Sequence, residues 1–518
     1  MKIQTKTEYG ADVIFSFVSR HKNLIYSILV ILILVASFFT RSGYLDEPLL
    51  NAHYFRQTQT ATVAKNYYLD GIDLFHPKLD IFGVGEKQIL VLEFPLYQAI
   101  VAIFSHVFGY SDRIGRLVSI FFGLTGGYVL LLLVNKITKR KIFGLISLVF
   151  FMFSPLNIFF QQSFMIESTV IALQIFSLFT WWKFSEKGRN SWLLMSIVVT
   201  AAAFLQKSVY APFVILPILA ITYKKLRETW EFRSKFIFGM ISCLLILFLW
   251  QRYADNTNEI HGHTFFTSSN QGLFLWNFGT IKERLEFGIW IGRLRLIQND
   301  ITKIISPFFL VGIIKLIKDR SKGYLIWICW LVSMIIYYLL FFRIQSHDYY
   351  FMPIIPIICI FASYGLVYIF SINVFGKINW KYLSIYRYIL IALLLIFYMY
   401  KGYLNSRPFF YIDYNMQNKL ELMKKSMNKT GSVLFVIPNY DWNSVYSYYT
   451  GRKGLIIGAS DYALQQVDNL KNQGYRYIVL DGVKDILSVN PEVNNIHKLF
   501  KSTLDTQDVK IYDITSLL

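Results

Sequence analysis

The sequence predicts a polytopic α-helical membrane protein with a small α/β domain at its C-terminal end, and three observations carry that prediction. Only 16% of the 518 residues are charged, against 55% hydrophobic and 18% aromatic, far from the roughly 25% charged of a soluble domain. Mean hydropathy is +0.43, and the apolar residues come in blocks of about 17 to 22, enough to cross a roughly 30 Å hydrocarbon core as helix. Beyond residue 404 these blocks stop and shorter strand-like runs begin.

The first block, 24–40, follows Arg20 and Lys22, lacks a small-x-small cleavage site and runs into Arg41; it reads as a retained first span. Basic clusters then recur between blocks: Lys2, Lys6, Arg20 and Lys22; Lys136 to Lys141; Lys183, Lys187 and Arg189; Lys224 to Lys235; Lys315 to Lys322; Lys377, Lys381 and Arg387. If all of them are cytoplasmic, every intervening apolar stretch crosses an odd number of times. That gives about eleven spans, at 24–40, 117–134, 143–160, 168–184, 192–205, 209–223, 236–252, 301–317, 324–342, 351–371 and 385–401. The N-terminus is then cytoplasmic and the C-terminal domain extracytoplasmic.

Pro95 to Gly109 does not fit as a span, since crossing there would put the Lys136 cluster on the wrong side; it is expected to lie at the outer interface as an amphipathic helix. The outer loops are then 41–116 and 254–300, the second carrying Trp276, Phe287 and Trp290 among Arg284, Arg293 and Arg295, as suits segments resting on headgroups. The chain divides into a transmembrane domain, 1–403, and a soluble domain, 404–518. In the latter, runs at 433–437, 455–457, 475–480 and 509–512 alternate with helical patterns such as Asp461 to Asn472, predicting a largely parallel sheet.

Composition also excludes function classes. The net charge of +20 is dispersed between spans rather than gathered in a patch, which argues topology and not nucleic acid. Cys243, Cys329 and Cys359 lie singly in apolar blocks, so neither a disulfide framework nor a thiolate metal site is expected. His261-Gly262-His263 lacks the carboxylate or cysteine partners a metal needs, and Tyr448 to Gly454 reads as a turn before a strand. No phosphate-cradling glycine motif suggests ATP-driven transport.

The polar residues that do stand out converge on the outer side. The first outer loop reads Leu45-Asp46-Glu47-Pro48, then His53-Tyr54-Phe55-Arg56-Gln57-Thr58-Gln59-Thr60-Ala61, then Glu93-Phe94-Pro95. Outer turns add Gln161, Gln162 and Glu167, then Lys207, then Arg343, His347, Asp348, Tyr349 and Tyr350. Charged groups at span ends are costly unless paired or solvated. Gathered at one face, they suit an anionic head whose lipid tail stays in the bilayer, with Arg56, Lys207 or Arg343 on its phosphate and a carboxylate taking a proton from an incoming hydroxyl. A phosphate leaving group needs a nearby cation and no separate acid. These residues also have structural explanations: Asp46 and Glu47 before Pro48 would start an interfacial helix, His53 and Arg56 would pair with loop carboxylates, and Tyr349 and Tyr350 would belong to the interfacial belt.

In this order the motifs resemble the bacterial branch of the protein-mannosyltransferase-like glycosyltransferases, in the GT-C superfamily that also holds the aminoarabinose transferases of lipid A. The resemblance covers about 24–402, and the His53 to Ala61 segment with Glu93-Phe94-Pro95 carries most of it. It implies a GT-C fold in a bacterial cytoplasmic membrane and an inverting transfer from a polyprenyl-phosphate sugar to an acceptor hydroxyl of a lipid, polysaccharide or protein, with an acid of the first outer loop as base. Carried over, Asp46 is the first choice for that base, with Glu47 beside it, and Glu93 stays an alternative. Glu167, where relatives often have Asp, would orient sugar or acceptor with Glu93. Arg56, Lys207, Arg343, His347 and Tyr349 are candidates for the donor phosphate, and His53, Gln57 and Tyr350 for positioning substrate. No cofactor or metal is expected. The alternative function, a flippase or transporter of lipid-linked saccharides, would place ionisable residues near the middle of several spans, often with inverted repeats; the spans here are apolar and no repeat is found.

Overall fold

The structure is a computed structural model that describes residues 21–320, 323–371, 380–428 and 430–517. Lys2, Lys6, Arg20, Lys322 and Lys377 of the basic clusters lie outside the described residues.

A helix stands at every expected span. Among the described residues, five helices are long and apolar enough to cross a membrane by themselves, including Lys22–Ser42, Asp112–Thr138 and Trp230–Ile260. Lys22–Ser42 turns Leu24, Ile28, Ile31, Leu32 and Phe39 outward, the apolar exterior that lipid tails require of a multi-pass membrane protein. The helix Leu96–Phe108 has 13 residues, about 20 Å and too short to cross. Tyr97, Val101 and Ala102 face inward while Ile103, Phe104, Val107 and Phe108 are exposed, as in a helix seated at the apolar edge of an interface.

Several spans are interrupted. The span at 143–160 is a helix Lys141–Met152 followed by a short one, Pro155–Phe160, because Pro155 has no N–H to continue the ladder. The carbonyls freed at the break are met by the wholly buried Arg41, which donates to Met152 O at 2.6 Å, Asn157 O at 3.2 Å and Gln161 Oε1 at 2.8 Å. The last spans cross at small residues: a Cβ on Gly312 would lie 1.8 Å from Phe361 O, and one on Gly365 1.8 Å from Phe308 O. Helices Ser306–Asp319 and Ile355–Ser371 thus pack backbone against backbone.

Trp230–Ile260 has 31 residues, about 46 Å, so it outreaches a roughly 30 Å core. Its C-terminal end organises the first outer loop: Asn258 accepts from Val91 N at 2.9 Å and donates to Val91 O at 2.7 Å, and Trp250 donates to Leu92 O. Beyond it, the second outer loop forms helices Gln271–Phe278, Ile281–Leu285 and Phe287–Ile297, which expose Phe274, Trp276, Ile281, Leu285 and Phe287.

The C-terminal sheet comprises β1 Ser432–Ile437, β2 Gly454–Gly458, β3 Tyr475–Asp481, β4 Phe500–Asp505 and β5 Val509–Leu517, in the order β2-β1-β3-β5-β4. Pairings β1–β2 and β1–β3 are parallel, whereas β3–β5 and β4–β5 are antiparallel. The expectation of a largely parallel sheet is corrected to a mixed one, because β4 and β5 form a hairpin that returns without a crossover helix. The first outer loop extends this sheet at the β2 edge: Gly83 N donates to Gly454 O at 2.9 Å, Gly454 N to Asp80 O at 3.0 Å and Ile456 N to Ile81 O at 3.1 Å. Leu50, Val63, Tyr67 and Ile81 of the loop share one apolar cluster with Val433, Phe435, Val479 and Ile511 of the domain. Loop and domain have a common core.

Candidate active site

The helix Tyr54–Asp70 follows His53, which adopts φ 56° and ψ 32°, a left-handed conformation uncommon outside glycine. From Gln57 to Thr62 it is polar yet buried. Gln57 donates to Asn51 Oδ1 at 2.5 Å and Ala52 O at 2.9 Å and accepts from Phe164 N at 3.1 Å. These bonds occupy the Gln57 amide in pinning the helix to the 161–166 turn, a role not anticipated for a substrate-positioning candidate. Gln59 donates to Trp442 O in the C-terminal domain at 2.6 Å.

Arg56 donates to Glu93 Oε1 at 2.5 Å. The Val91–Asn258 bonds and a bond from Phe94 N to Leu205 O at 3.0 Å hold Glu93 there, next to the turn that carries Lys207. Burial would push the Glu93 carboxyl up, but the Arg56 and Lys207 cations override it and hold the group below the usual carboxylate range. Burial likewise opposes the charge on Arg56, and Glu93 more than restores it, raising the guanidinium above its ordinary value. A narrow cleft lined by Arg56, Gln59, Thr60, Glu93, Pro95 and Gln98 opens beside the pair.

The second pair is deeper. Lys207, at the C-terminal end of helix Asn190–Gln206, donates to Glu167 Oε1 at 2.5 Å, and the two side chains are 3% and 0% exposed. The rings of Tyr210, Tyr349 and Tyr350 surround the ammonium with centroids at 5.2, 4.9 and 4.6 Å, a cage that favours a cation. Among the described residues, Glu167 Oε2, both polar atoms of the Gln206 amide and the Tyr210 hydroxyl are buried with no hydrogen-bond partner. Such groups are costly unless a polar ligand meets them. Arg56 feels the charge of Glu167, and Glu93 that of Lys207. The four groups therefore form one field of alternating sign.

A third pair completes the cluster. His53 Nε2 lies 2.6 Å from Asp348 Oδ1. The His53 ring is 5.1 Å from that of Tyr349 and 5.8 Å from that of His347, which itself stacks on Tyr349 at 5.4 Å. Burial and the neighbouring His53, Lys207 and Arg56 push the His347 imidazole down to about 4. His347 is then neutral near pH 7, so it would meet a phosphate as a hydrogen-bond donor and not as a cation.

Three candidates lie apart. Asp46 pairs with Arg113 at the surface, with side chains 71% and 53% exposed. The turn that bears it forms no helix; it is held from inside by the buried Arg116, which donates to Tyr44 O, Glu47 O and Pro48 O. Glu47 thus contributes its carbonyl to that anchor, and its side chain is half-buried. Arg343 stands at the rim, 3.9 Å from Glu283 and over the Trp276 ring. Sequence reasoning gave no role to Gln206, at the end of an apolar span, or to Tyr210, and named Asp348 without its partner, which lies 295 positions away. A larger hollow lined by Asp413, Lys419 and Asp508 belongs to the C-terminal domain and shares no residue with the cluster.

Residues 93–250 match the family model of dolichyl-phosphate-mannose-protein mannosyltransferase. No curated protein matches the sequence significantly. Among solved structures, the chain is similar to ArnT from Cupriavidus metallidurans bound to undecaprenyl phosphate, with 12% identity over 94% of this chain and 97% of that one and a TM-score of 0.61. The apo form of the same protein gives 13% identity, the same coverage and a TM-score of 0.62. The oligosaccharyltransferase AglB of Archaeoglobus fulgidus, in complex with an inhibitory peptide and a dolichol-phosphate, is similar at 10% identity over 93% of this chain and 73% of that one, with a TM-score of 0.55. The chain has the GT-C fold that the loop motifs implied.

Proposed function

We propose that the protein is an inverting glycosyltransferase that moves a sugar from a polyprenyl-phosphate donor to an acceptor hydroxyl on the extracytoplasmic face of a bacterial cytoplasmic membrane. One observation carries the reading: the half-buried Arg56 and the buried Lys207 share one field with acids and with polar atoms that have no partner among the described residues, where the helix bundle meets its outer loops. A phosphate entering there exchanges water for fixed cations, and as the glycosidic bond breaks these stabilise the negative charge growing on the leaving phosphate. Arg56 offers a two-pronged fork and Lys207 a compact charge. The tyrosines exclude water, which would otherwise compete as acceptor.

A lipid-phosphate donor also agrees with the relatives, since the similar ArnT was solved with undecaprenyl phosphate and AglB with dolichol-phosphate. In this scheme the protein side chains supply all the positive charge, and no cofactor takes part. The transporter alternative is less well supported: Arg41, Arg116, Glu167 and Lys207, all buried, stand near helix ends and not at mid-span.

The test is purified protein in lipid nanodiscs with a panel of polyprenyl-phosphate sugars and an extract of candidate acceptors. Release of free polyprenyl phosphate is expected; none with any donor, together with movement of a labelled donor across liposomes, would replace this reading by transport. For orientation, with the native cysteines replaced, an impermeant thiol reagent is expected to reach a cysteine introduced at position 470 and not one at 139.

A further inference from the structure

We infer that His53 is the general base of the transfer and that Asp348 is the positioning residue that sets its tautomer; this rests on the glycosyl-transfer reading above. The carboxylates of the cluster are already engaged. Glu93 Oε1 is bound by Arg56 and Glu167 Oε1 by Lys207, both at 2.5 Å. A carboxylate neutralised by a cation is a weak base, and using it would withdraw the cation from the phosphate. Asp46 faces solvent with Arg113.

His53 has the opposite character. Its Nε2 lies 2.6 Å from Asp348 Oδ1, which is satisfied when Nε2 carries the proton and the carboxylate accepts it. The lone pair then falls on Nδ1, which makes no hydrogen bond among the described residues. The side chain is 15% exposed, so it is sheltered and still reachable. The left-handed backbone at His53 is a conformation that persists only where the surroundings impose it. Charged and titratable groups around the pair are His347 and Tyr349 on the same turn as Asp348, Arg56 and Lys207 beyond them, and Asp300, which acts on Asp348 from the second outer loop.

In the step, Nδ1 takes the acceptor hydroxyl proton while the acceptor oxygen forms a bond to the anomeric carbon. The bond from that carbon to the phosphate oxygen breaks, and its electron pair leaves with the polyprenyl phosphate. Asp348 stabilises the resulting imidazolium, which then returns its proton to water.

The experiment uses the full chain in nanodiscs and the donor that the panel identifies. His53→Asn is expected to lower kcat at least ~100-fold, the usual reach of general-base catalysis, with the donor KM within about threefold, a ratio too small to mark lost binding energy. Asp348→Asn is expected to lower kcat about 10- to 100-fold and to shift the acidic limb of its pH profile, with Asp348→Glu restoring part of both, because only the orientation and charge behind the base are changed. Turnover by His53→Asn within threefold of the native rate, or a pH profile indifferent to Asp348→Asn, overturns the assignment. Nitrogen-15 NMR of labelled histidine decides the pair without any donor: a ring protonated at Nε2 and dependent on Asp348 supports it, and one protonated at Nδ1 overturns it. Failure of every donor would remove the glycosyl-transfer reading while the tautomer still reports on the pair.

Discussion

Two ion pairs drawn from neighbouring stretches of the chain have opposite settings. Arg56–Glu93 is largely buried, with side chains 12% and 25% exposed, whereas Asp46–Arg113 is 71% and 53% exposed. The first is fixed on every side: Arg56 rides on a helix anchored by Gln57, and Glu93 is positioned by Asn258 through Val91. The second stands in water, where charges are screened and contribute little. Acidic character in a loop therefore says little about chemistry; what gives a charge leverage is removal from solvent beside a fixed partner.

The strongest way to break this contrast is at the deepest pair. Lys207→Ala leaves Glu167 charged and alone, which costs about 3–5 kcal/mol of stability, and is expected to abolish transfer. Glu167→Gln combined with Lys207→Met should recover most of the lost thermal stability without recovering transfer, read by unfolding temperature and turnover in parallel. Next in size, Glu93→Gln is expected to raise the donor KM about tenfold, since it unlocks an Arg56 fork worth about 1.4 kcal/mol of alignment; an unchanged dependence of rate on donor concentration would detach Arg56 from the phosphate.

A separate effect concerns acid stability. His347 is held down to about 4 in the folded protein, against about 6.5 for a free imidazole. The unfolded chain then binds more protons between those values, so folding stability falls as pH drops from about 6.5 to 4 and levels off above. His347→Gln should flatten that part of the unfolding-temperature profile. Smallest of all, Asp46→Asn is expected to leave turnover within about threefold, as for a screened surface pair. Loss of turnover there would restore the loop acid as base and reverse the contrast.

How much of this was legible in the sequence follows from what each feature depends on. The spans were readable because lipid imposes length and apolarity on each helix separately. The break after Met152 is signalled by Pro155, whereas the placement of Arg41 over the freed carbonyls depends on packing. β4 is hard to read because Lys501, Thr503 and Asp505 give an edge strand a polar face. The residue types of the site were visible in the His53 to Ala61 and Glu93-Phe94-Pro95 motifs. Their pairing was not, since Lys207–Glu167 and His53–Asp348 join positions 40 and 295 residues apart.

The ladder between Asp80 to Gly83 and the Gly454 edge has a practical consequence. A protein engineer who cuts the chain near residue 404 would not liberate a self-sufficient module: the excised piece would bare a sticky β2 margin and lose part of its greasy filling. The remaining membrane portion would forfeit the buttress behind Gln59. Chimeras with proteins of the same fold would need to carry both pieces together.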